Sequence, residues 1–343
     1  MRSRERQGGY AGSHHRGAGY IGSHAARALA RHGHSVLIYD NLSTGHRLLA
    51  NGFDVVVGDI RDAKMVASAL RDVDAVMHFA AHAYVGESVQ NPRKYFENNV
   101  QSGLSFLNSV LESGIRNLIF SSTCAVYGLP AKIPIAEDTV RQPVNPYGAS
   151  KLFFEHALEA YNKAYGLRYV SLRYFNAAGA DKGGEIGELH DPEIHLIPSA
   201  LQVAMGIRPE LKIYGTDYPT PDGTCVRDYI HVSDLAEGHL LALEYLAAGG
   251  EPRALNLGAG TGHSIREVVS VVEEVTGSTL RKRYCPRRPG DPPVLVADPS
   301  RAQQLLQWKP SRSLQQIVSS AWKWMQRDSD RTRRSNVRHR VPQ

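Results

Sequence analysis

From Tyr20 onward, short apolar runs alternate with amphipathic stretches of helical period, and this alternation restricts the fold more than any other feature of the chain. The apolar runs are too short to be helices and read as strands at Ser35–Tyr39, Asp54–Val57, Ala75–Phe79, Asn117–Ser121 and Arg168–Tyr174. Between them, helices are expected at about Ile21–His32, Pro92–Ser113 and Pro146–Tyr165, the first closed by Gly33. Strands separated by whole helices pair in parallel, so the fold class is α/β, a doubly wound parallel sheet of Rossmann type. After Asn176 the alternation loosens into Gly-, Pro- and Asp-rich loops at Gly183–Pro192 and Tyr214–Arg227, with Asp291-Pro-Pro in a third. Helices near Ser233–Ala247, Ser264–Thr276 and Leu314–Trp324 separate or follow them. The division expected is a divergent segment 1–16, a sheet domain 17–175, a smaller α/β lobe 176–326 and a basic, disordered tail 327–343. Asp228–Ala247 is expected to return to the first lobe.

The chain of 343 residues is 42% hydrophobic, enough for a sizeable core. Its net charge of +6 would suggest nucleic acid, but +3 of it lies in residues 1–16 and +4 in residues 327–343, leaving a body near −1. No nucleic-acid partner is expected. Neither a membrane span nor a secretory leader is read from the sequence. Cys124, Cys225 and Cys285 are odd in number and far apart, which fits reduced thiols of a cytoplasmic protein.

Tyr147 and Lys151 stand one helical turn apart and share a helix face. A phenol near pKa 10 is a poor base at neutral pH, and a neighbouring ammonium is expected to lower it toward the working range. Thr123 closes the strand Asn117-Leu-Ile-Phe-Ser-Ser-Thr123, placing a hydroxyl at the carboxyl end of the sheet, where ligands of such folds bind. With Ser121-Ser-Thr-Cys-Ala-Val-Tyr-Gly128 and Asn145-Pro-Tyr-Gly-Ala-Ser-Lys151, the chain resembles the extended short-chain dehydrogenase/reductase family. In that resemblance Gly17-Ala-Gly-Tyr-Ile-Gly22 matches the phosphate-binding turn, with Gly19 and Gly22 letting the backbone approach a pyrophosphate. Asp40, 18 residues beyond Gly22, suits ribose hydroxyls and favours NAD over NADP. Upstream the match breaks. Where an apolar strand and Thr-Gly-Gly belong, residues 7–14 read Gln-Gly-Gly-Tyr-Ala-Gly-Ser-His, and His15 and Arg16 occupy the turn. The expectation is a chain without a good central strand, strained at Arg16. His14, His15 and His24 lack a cysteine or carboxylate companion and are not read as a metal site.

Further segments narrow the resemblance to the UDP-glucose 4-epimerase family: His78-Phe-Ala-Ala-His-Ala-Tyr-Val-Gly-Glu-Ser88, Tyr95-Phe-Glu-Asn-Asn99, Leu172-Arg-Tyr-Phe-Asn-Ala-Ala-Gly179, Tyr214 to Val232, Asn256-Leu-Gly-Ala-Gly260 and Pro286-Arg-Arg-Pro-Gly-Asp291. The resemblance implies that Tyr147 removes the proton of the sugar 4-hydroxyl, helped by Thr123, while Lys151 binds the nicotinamide ribose. It places Gly17, Gly19, Tyr20, Ile21, Gly22, Asp40 and Asn41 on NAD. It also puts Asp59 and Ile60 beside adenine, and Phe79, Ala80, Ala81, Ala83, Asn98 and Phe175 along the cofactor channel. For UDP-glucose and UDP-galactose it implies Asn176, His195, Leu196, Lys212, Ile213, Tyr214, Arg227, Arg288 and Asp291, with Leu295 gating the sugar. It implies a homodimer through the helices Pro92–Ser113 and Pro146–Tyr165. Local alternatives exist: Arg227-Asp228 as a salt bridge and Asn176 as a turn cap. His190-Asp191-Pro-Glu193-Ile-His195 offers metal-ligating types, but its proline and the family match favour a plain loop, and no metal is expected. Two rival functions are a nucleotide-sugar 4,6-dehydratase and a non-catalytic binding protein. The first wants an Asp-Glu pair after Thr123, where this chain has Cys124-Ala125. The second draws on the altered amino terminus.

Overall fold

The computed structural model describes residues 11–15, 17–288 and 290–338, with side chains from residue 17 to 330. Seven parallel strands form the main sheet: β1 (Ala11–His15), β2 (Ser35–Asp40), β3 (Asp54–Val57), β4 (Ala75–His78), β5 (Asn117–Thr123), β6 (Arg168–Tyr174) and β10 (Arg253–Leu257). Their spatial order is β3-β2-β1-β4-β5-β6-β10, so the chain reverses direction across the sheet between β1 and β4. The carboxyl ends of strands at such a reversal open a crevice, and that crevice fixes where the site lies.

Successive side chains of a strand point to opposite faces. Met77, Ile119, Val170 and Leu172 accordingly face one core with Leu29, Leu235, Leu243 and Trp308. Val76, Leu118, Phe120 and Tyr169 face the other, against Phe106, Phe154 and Leu158. Helix α1 (Tyr20–Arg31) packs beside α8 (Val232–Ala247) on the first face. α5 (Gly103–Glu112) and α6 (Pro146–Tyr165) cover the second. Helix α6 is well delimited by its sequence. Asn145 accepts from the Gly148 amide at its start, Pro146 fills the first turn, and Gly166 adopts a left-handed φ of 70° at its end.

Two expectations change here. Residues 11–15, which lack an apolar pattern, form the central strand, in register with Ser35–Tyr39 on one side and, from Gly12, with Ala75–His78 on the other. Two flanking strands offer every backbone group a ladder partner, and this outweighs the weak β-propensity of the segment. The tail also differs: α11 (Leu314–Arg338) continues through most of the stretch expected to be disordered. The side chains of His14, His15 and Arg16 lie outside the described residues.

The remaining chain adds a sheet of β11 (Gly262–Ser264), β9 (Val226–His231), β13 (Val294–Leu295) and β7 (Asn176–Ala178), and a strand pair of β8 (Leu211–Tyr214) with β12 (Lys282–Cys285). Helices α7 (Leu196–Ala204), α9 (Ile265–Thr276) and α11 close a third core around Ile197, Leu201, Val268, Val272 and Ile317. The long helix expected at Pro92–Ser113 is interrupted by a π-helical segment over Phe96–Ser102, a form that often marks functional positions.

Candidate active site

Two elements bring the chemistry together. Strand β5 ends at the buried Thr123, and helix α6 carries Tyr147 and the buried Lys151. The Thr123 hydroxyl lies near enough to the Tyr147 phenol to favour its phenolate. It also accepts from the Ala125 amide at 3.2 Å, which orients it. Lys151 Nζ donates to the Ser121 carbonyl at 2.6 Å and lies 4.8 Å from the Phe120 ring centroid, so the ammonium is held against β5. The expected downward shift of the tyrosine does not appear. Tyr147 is half-buried by surface but closely surrounded by protein. Desolvation pushes its pKa up to about 12, the Thr123 hydroxyl pulls the other way, and Cys124 adds a small upward push. Burial outweighs the neighbouring donor because a phenolate in a dry setting loses its hydration.

Behind these groups lies a buried polar network that the sequence reading did not single out. Glu155, one turn beyond Lys151 on the same helix face, accepts from Ser122 Oγ at 2.6 Å and from Arg173 Nε and Nη2 at 2.9 and 2.7 Å. Arg173 also donates to Tyr127 Oη at 2.8 Å, and Tyr127 donates to Asn256 Oδ1 at 2.7 Å. The network ties α6 to β5, β6 and β10. The helical spacing 147, 151, 155 is the signal that points to Glu155. Tyr174 and His239 form a second buried hydrogen bond, beneath Phe79.

The proposed cofactor residues gather at the crevice. Asp40, Asn41, Ile60, Ala80 and Asn98 line one cleft with Tyr39 and Gly58. Asp40 is buried and accepts from the Ala18 amide at 3.1 Å and the Leu42 amide at 2.8 Å, so it also fastens the glycine turn to β2. Helix α1 begins at Gly19 with no side-chain cap, leaving its first amides turned to the crevice. A carboxylate beside the glycine turn and an uncapped helix start next to it suit the ribose and the pyrophosphate of a dinucleotide. Tyr20 is buried, donates to the Gly179 carbonyl at 2.6 Å, and its pKa is raised by burial. Asp59 is committed to Arg61, whose guanidinium holds its carboxyl well below the usual range. Asn98 donates to Asn99 at 2.9 Å, and Asn99 bridges the His82 backbone to Ser150 on α6, so the π-helical segment couples the channel loop to the catalytic helix. Phe175 lies in a cluster with Val126, Tyr127 and Leu295, which brings channel and gate positions side by side. Ala81 is buried, Ala83 exposed, and Gly17, Ile21 and Gly22 lie at the turn and first turn of α1.

On the facing lobe the proposed substrate residues form pairs among themselves. Arg227 on β9 is ion-paired with Asp291, not with its neighbour Asp228. Adjacent strand residues face opposite ways. Asp228 is instead buried and accepts from the amides of Ala259, Gly260 and Ala297, burial pushing its pKa up to about 6. The Arg288 guanidinium stacks 4.1 Å from the Tyr214 ring centroid. Leu295 sits in register with Arg227, and Asn176 with Tyr229, on the two edges of β9. Ile213 is buried in its strand, so that strand offers the outside Lys212, Tyr214 and backbone. His195 precedes α7 and Leu196 begins it. Glu188, His190, Glu193 and His195 converge below that helix, while Asp191 is exposed.

Among the described residues no helix is long and apolar enough to cross a membrane. A family model described as the NAD dependent epimerase/dehydratase family matches residues 17–258. A UDP-glucose 4-epimerase of Rhizobium meliloti (strain 1021) is 48% identical over 313 residues, covering 91% of this chain and 95% of its own. A crystal structure of UDP-glucose 4-epimerase from Brucella ovis in complex with NAD superposes with a TM-score of 0.89 at 49% identity, over 91% of this chain and 97% of that one. A UDP-glucose 4-epimerase structure from Bifidobacterium longum in complex with NAD+ and UDP has a TM-score of 0.88 at 35% identity, over 93% and 99%.

Proposed function

The chain belongs to the NAD dependent epimerase/dehydratase family, and from that premise we propose that it interconverts UDP-glucose and UDP-galactose by inverting carbon 4 of the sugar. The observation that carries this reading is the grouping of Thr123 at the end of β5 with Tyr147 and Lys151 on α6, at the carboxyl edge of the sheet where the strand order reverses. NAD, when bound, would supply reversible hydride transfer with carbon 4. Tyr147 takes the proton of the 4-hydroxyl, leaving a 4-keto sugar, and gives a proton back after the sugar has turned over in the cleft. Thr123 holds the reacting oxygen. Lys151, one helical turn from this phenol and held on the Ser121 carbonyl, would favour the phenolate on approaching it. Asp40, Asn41, Ala80 and Asn98 would hold the cofactor along the cleft, and the start of α1 its pyrophosphate. Arg227, Arg288 and Asp291 would take the uridine diphosphate, the arginines by forked contacts to its oxyanions.

A dehydratase needs an acid–base pair beside the sugar. The residue after Thr123 is Cys124, whose thiol burial pushes up to about 12, so it neither gives nor takes a proton usefully at neutral pH. The protein is further read as a cytoplasmic homodimer. Phe96 and Phe153, on the helical faces proposed to pair, are 42% and 50% exposed, which supports a covered face. Sedimentation at micromolar concentration reads this directly, and a monomer refutes it. The main test is incubation with UDP-galactose and detection of UDP-glucose, with the nucleotide released on denaturation identified by chromatography. NADP as the main species refutes the role of Asp40, and a 4-keto-6-deoxy sugar as stable product refutes epimerisation.

A further inference from the structure

The loop before α7 gathers four metal-ligating side chains that the proposed reaction does not use. Glu188, His190, Glu193 and His195 each bring one ligand atom within 4.8 Å of all the others. His190 Nδ1 lies 3.0 Å and His195 Nδ1 2.6 Å from the same oxygen, Glu188 Oε1. Glu193 closes the group, with Oε1 3.3 Å from His195 Nδ1 and Oε2 3.9 Å from His190 Nδ1. The carboxylate side chains are only 6% and 5% exposed, with the rings over them at 23% and 45%. Two buried carboxylates facing one another call for a positive charge between them, which the His195 ring now supplies from its place between both.

The surroundings hold the donors in place. The Glu188 carbonyl accepts from Trp324 Nε1 at 2.9 Å, and Glu193 Oε1 accepts from the His195 amide at 2.8 Å. Tyr20 and Tyr84 stand edge-on to the His190 ring at 6.3 and 6.0 Å. Tyr84 Oη donates to the Pro192 carbonyl at 3.3 Å, and Arg208 donates to the Glu193 carbonyl. Backbone anchors of this kind fix ligand orientation in metal sites. With bonds of about 2.0–2.2 Å to nitrogen and oxygen, tetrahedral donors stand roughly 3.3–3.5 Å apart, and the observed separations bracket that spacing.

We propose that Glu188, His190, Glu193 and His195 form a binding site for a first-row transition-metal dication, with zinc the best match. Two imidazoles and two carboxylates select zinc, cobalt or nickel over magnesium or calcium, which prefer all-oxygen cages. The ion takes the place of the protons shared between the rings and Glu188, so binding releases protons. This reverses the expectation of a plain loop. Glu188, on which both rings converge, falls outside the six-residue run read from the sequence. Bound through Nδ1 of His195, the residue just before α7, the ion would stiffen the entry to that helix.

The test uses the full chain, stripped by a chelator and titrated with Co2+ and then Zn2+. One equivalent of cobalt should give the intense visible absorption of a tetrahedral site, and zinc should displace it with a micromolar or tighter Kd and proton release measured in lightly buffered solution. Glu188→Gln and His190→Gln should each weaken zinc by more than about 100-fold, beyond what loss of a supporting partner costs. A His14→Asn/His15→Asn variant should leave the titration unchanged. Weak, octahedral-type cobalt absorption of the parent protein overturns the proposal whatever the variants do. So does a titration unaltered in His190→Gln, the partly exposed ligand whose replacement is least disruptive to folding, or one abolished only by the change at residues 14 and 15. None of these readouts depends on epimerase activity, so failure of the metal site and failure of the proposed reaction are separable.

Discussion

The two sides of the cleft are built differently. On the sheet side, Thr123, Tyr147 and Lys151 are fixed by a strand end and a helix that a buried ion pair, Glu155 with Arg173, clamps to three strands. On the lobe side, Arg227, Asp291, Arg288 and Tyr214 sit on short strands and connecting loops and are paired with one another. Groups that do proton transfer must be held to within fractions of an ångström, and rigid elements provide that. Groups that grip a charged ligand can instead satisfy each other until the ligand arrives, Arg227 being buried and Asp291 partly exposed at its side. Under the proposed roles, the contrast separates positioning of the reaction from capture of the substrate.

The largest effect expected is on turnover. Tyr147→Phe should cut kcat by a factor on the order of 100 to 10,000 while UDP-sugar affinity changes little, read by steady-state kinetics and calorimetry. An equal loss of binding would make Tyr147 structural and dissolve the contrast. Next comes stability. Arg173→Met leaves the Glu155 carboxylate buried with little compensation and should cost about 3–5 kcal/mol in urea unfolding. Arg227→Met, on the lobe side, leaves behind Asp291, which is partly exposed, so it should cost less than Arg173→Met yet raise the KM for UDP-sugars. Equal destabilisation by both would erase the distinction.

A smaller effect concerns acid. His24, His231 and His239 lie about the α1–α8 side of the sheet, and burial lowers their pKa values to about 4, 3 and 4. Each binds its proton more readily when unfolded, so their contribution to stability is fully present above about pH 6.5 and is lost as pH falls toward 4 to 3. Urea midpoints at pH 7 and pH 5 should show the decrease, and His239→Gln, if it folds, should flatten it. A midpoint unchanged between the two values contradicts neutral burial. The smallest effect is on selectivity. Leu295, packed near Phe175, crowds the sugar only partly, so UDP-glucose should be preferred over UDP-GlcNAc by ~1–3 kcal/mol in kcat/KM. Leu295→Ser should narrow that preference, and no change would remove Leu295 from the gate.

Much of the sheet and of the catalytic group was legible because both are written in short-range spacing. Alternating apolar runs gave the β2 to β6 strands, Asn145-Pro and Gly166 delimited α6, and the four-residue step from Tyr147 to Lys151 set a shared face. Interactions between distant segments were not legible. Residues 11–15 carry no strand signal, and they become the central strand through backbone pairing with two neighbours far along the chain. Arg227 pairs across 64 positions with Asp291 and not with the carboxylate next to it. The sign of the Tyr147 shift depends on how much protein surrounds the phenol, which spacing on one helix does not encode. Glu188 joins the histidines only through the fold of its loop. The sequence by itself therefore determined which groups are available and which share a helix or strand. The tertiary structure decided which of them meet, how deeply they are buried and what charge they hold, because those quantities arise from segments that touch only once the chain has folded.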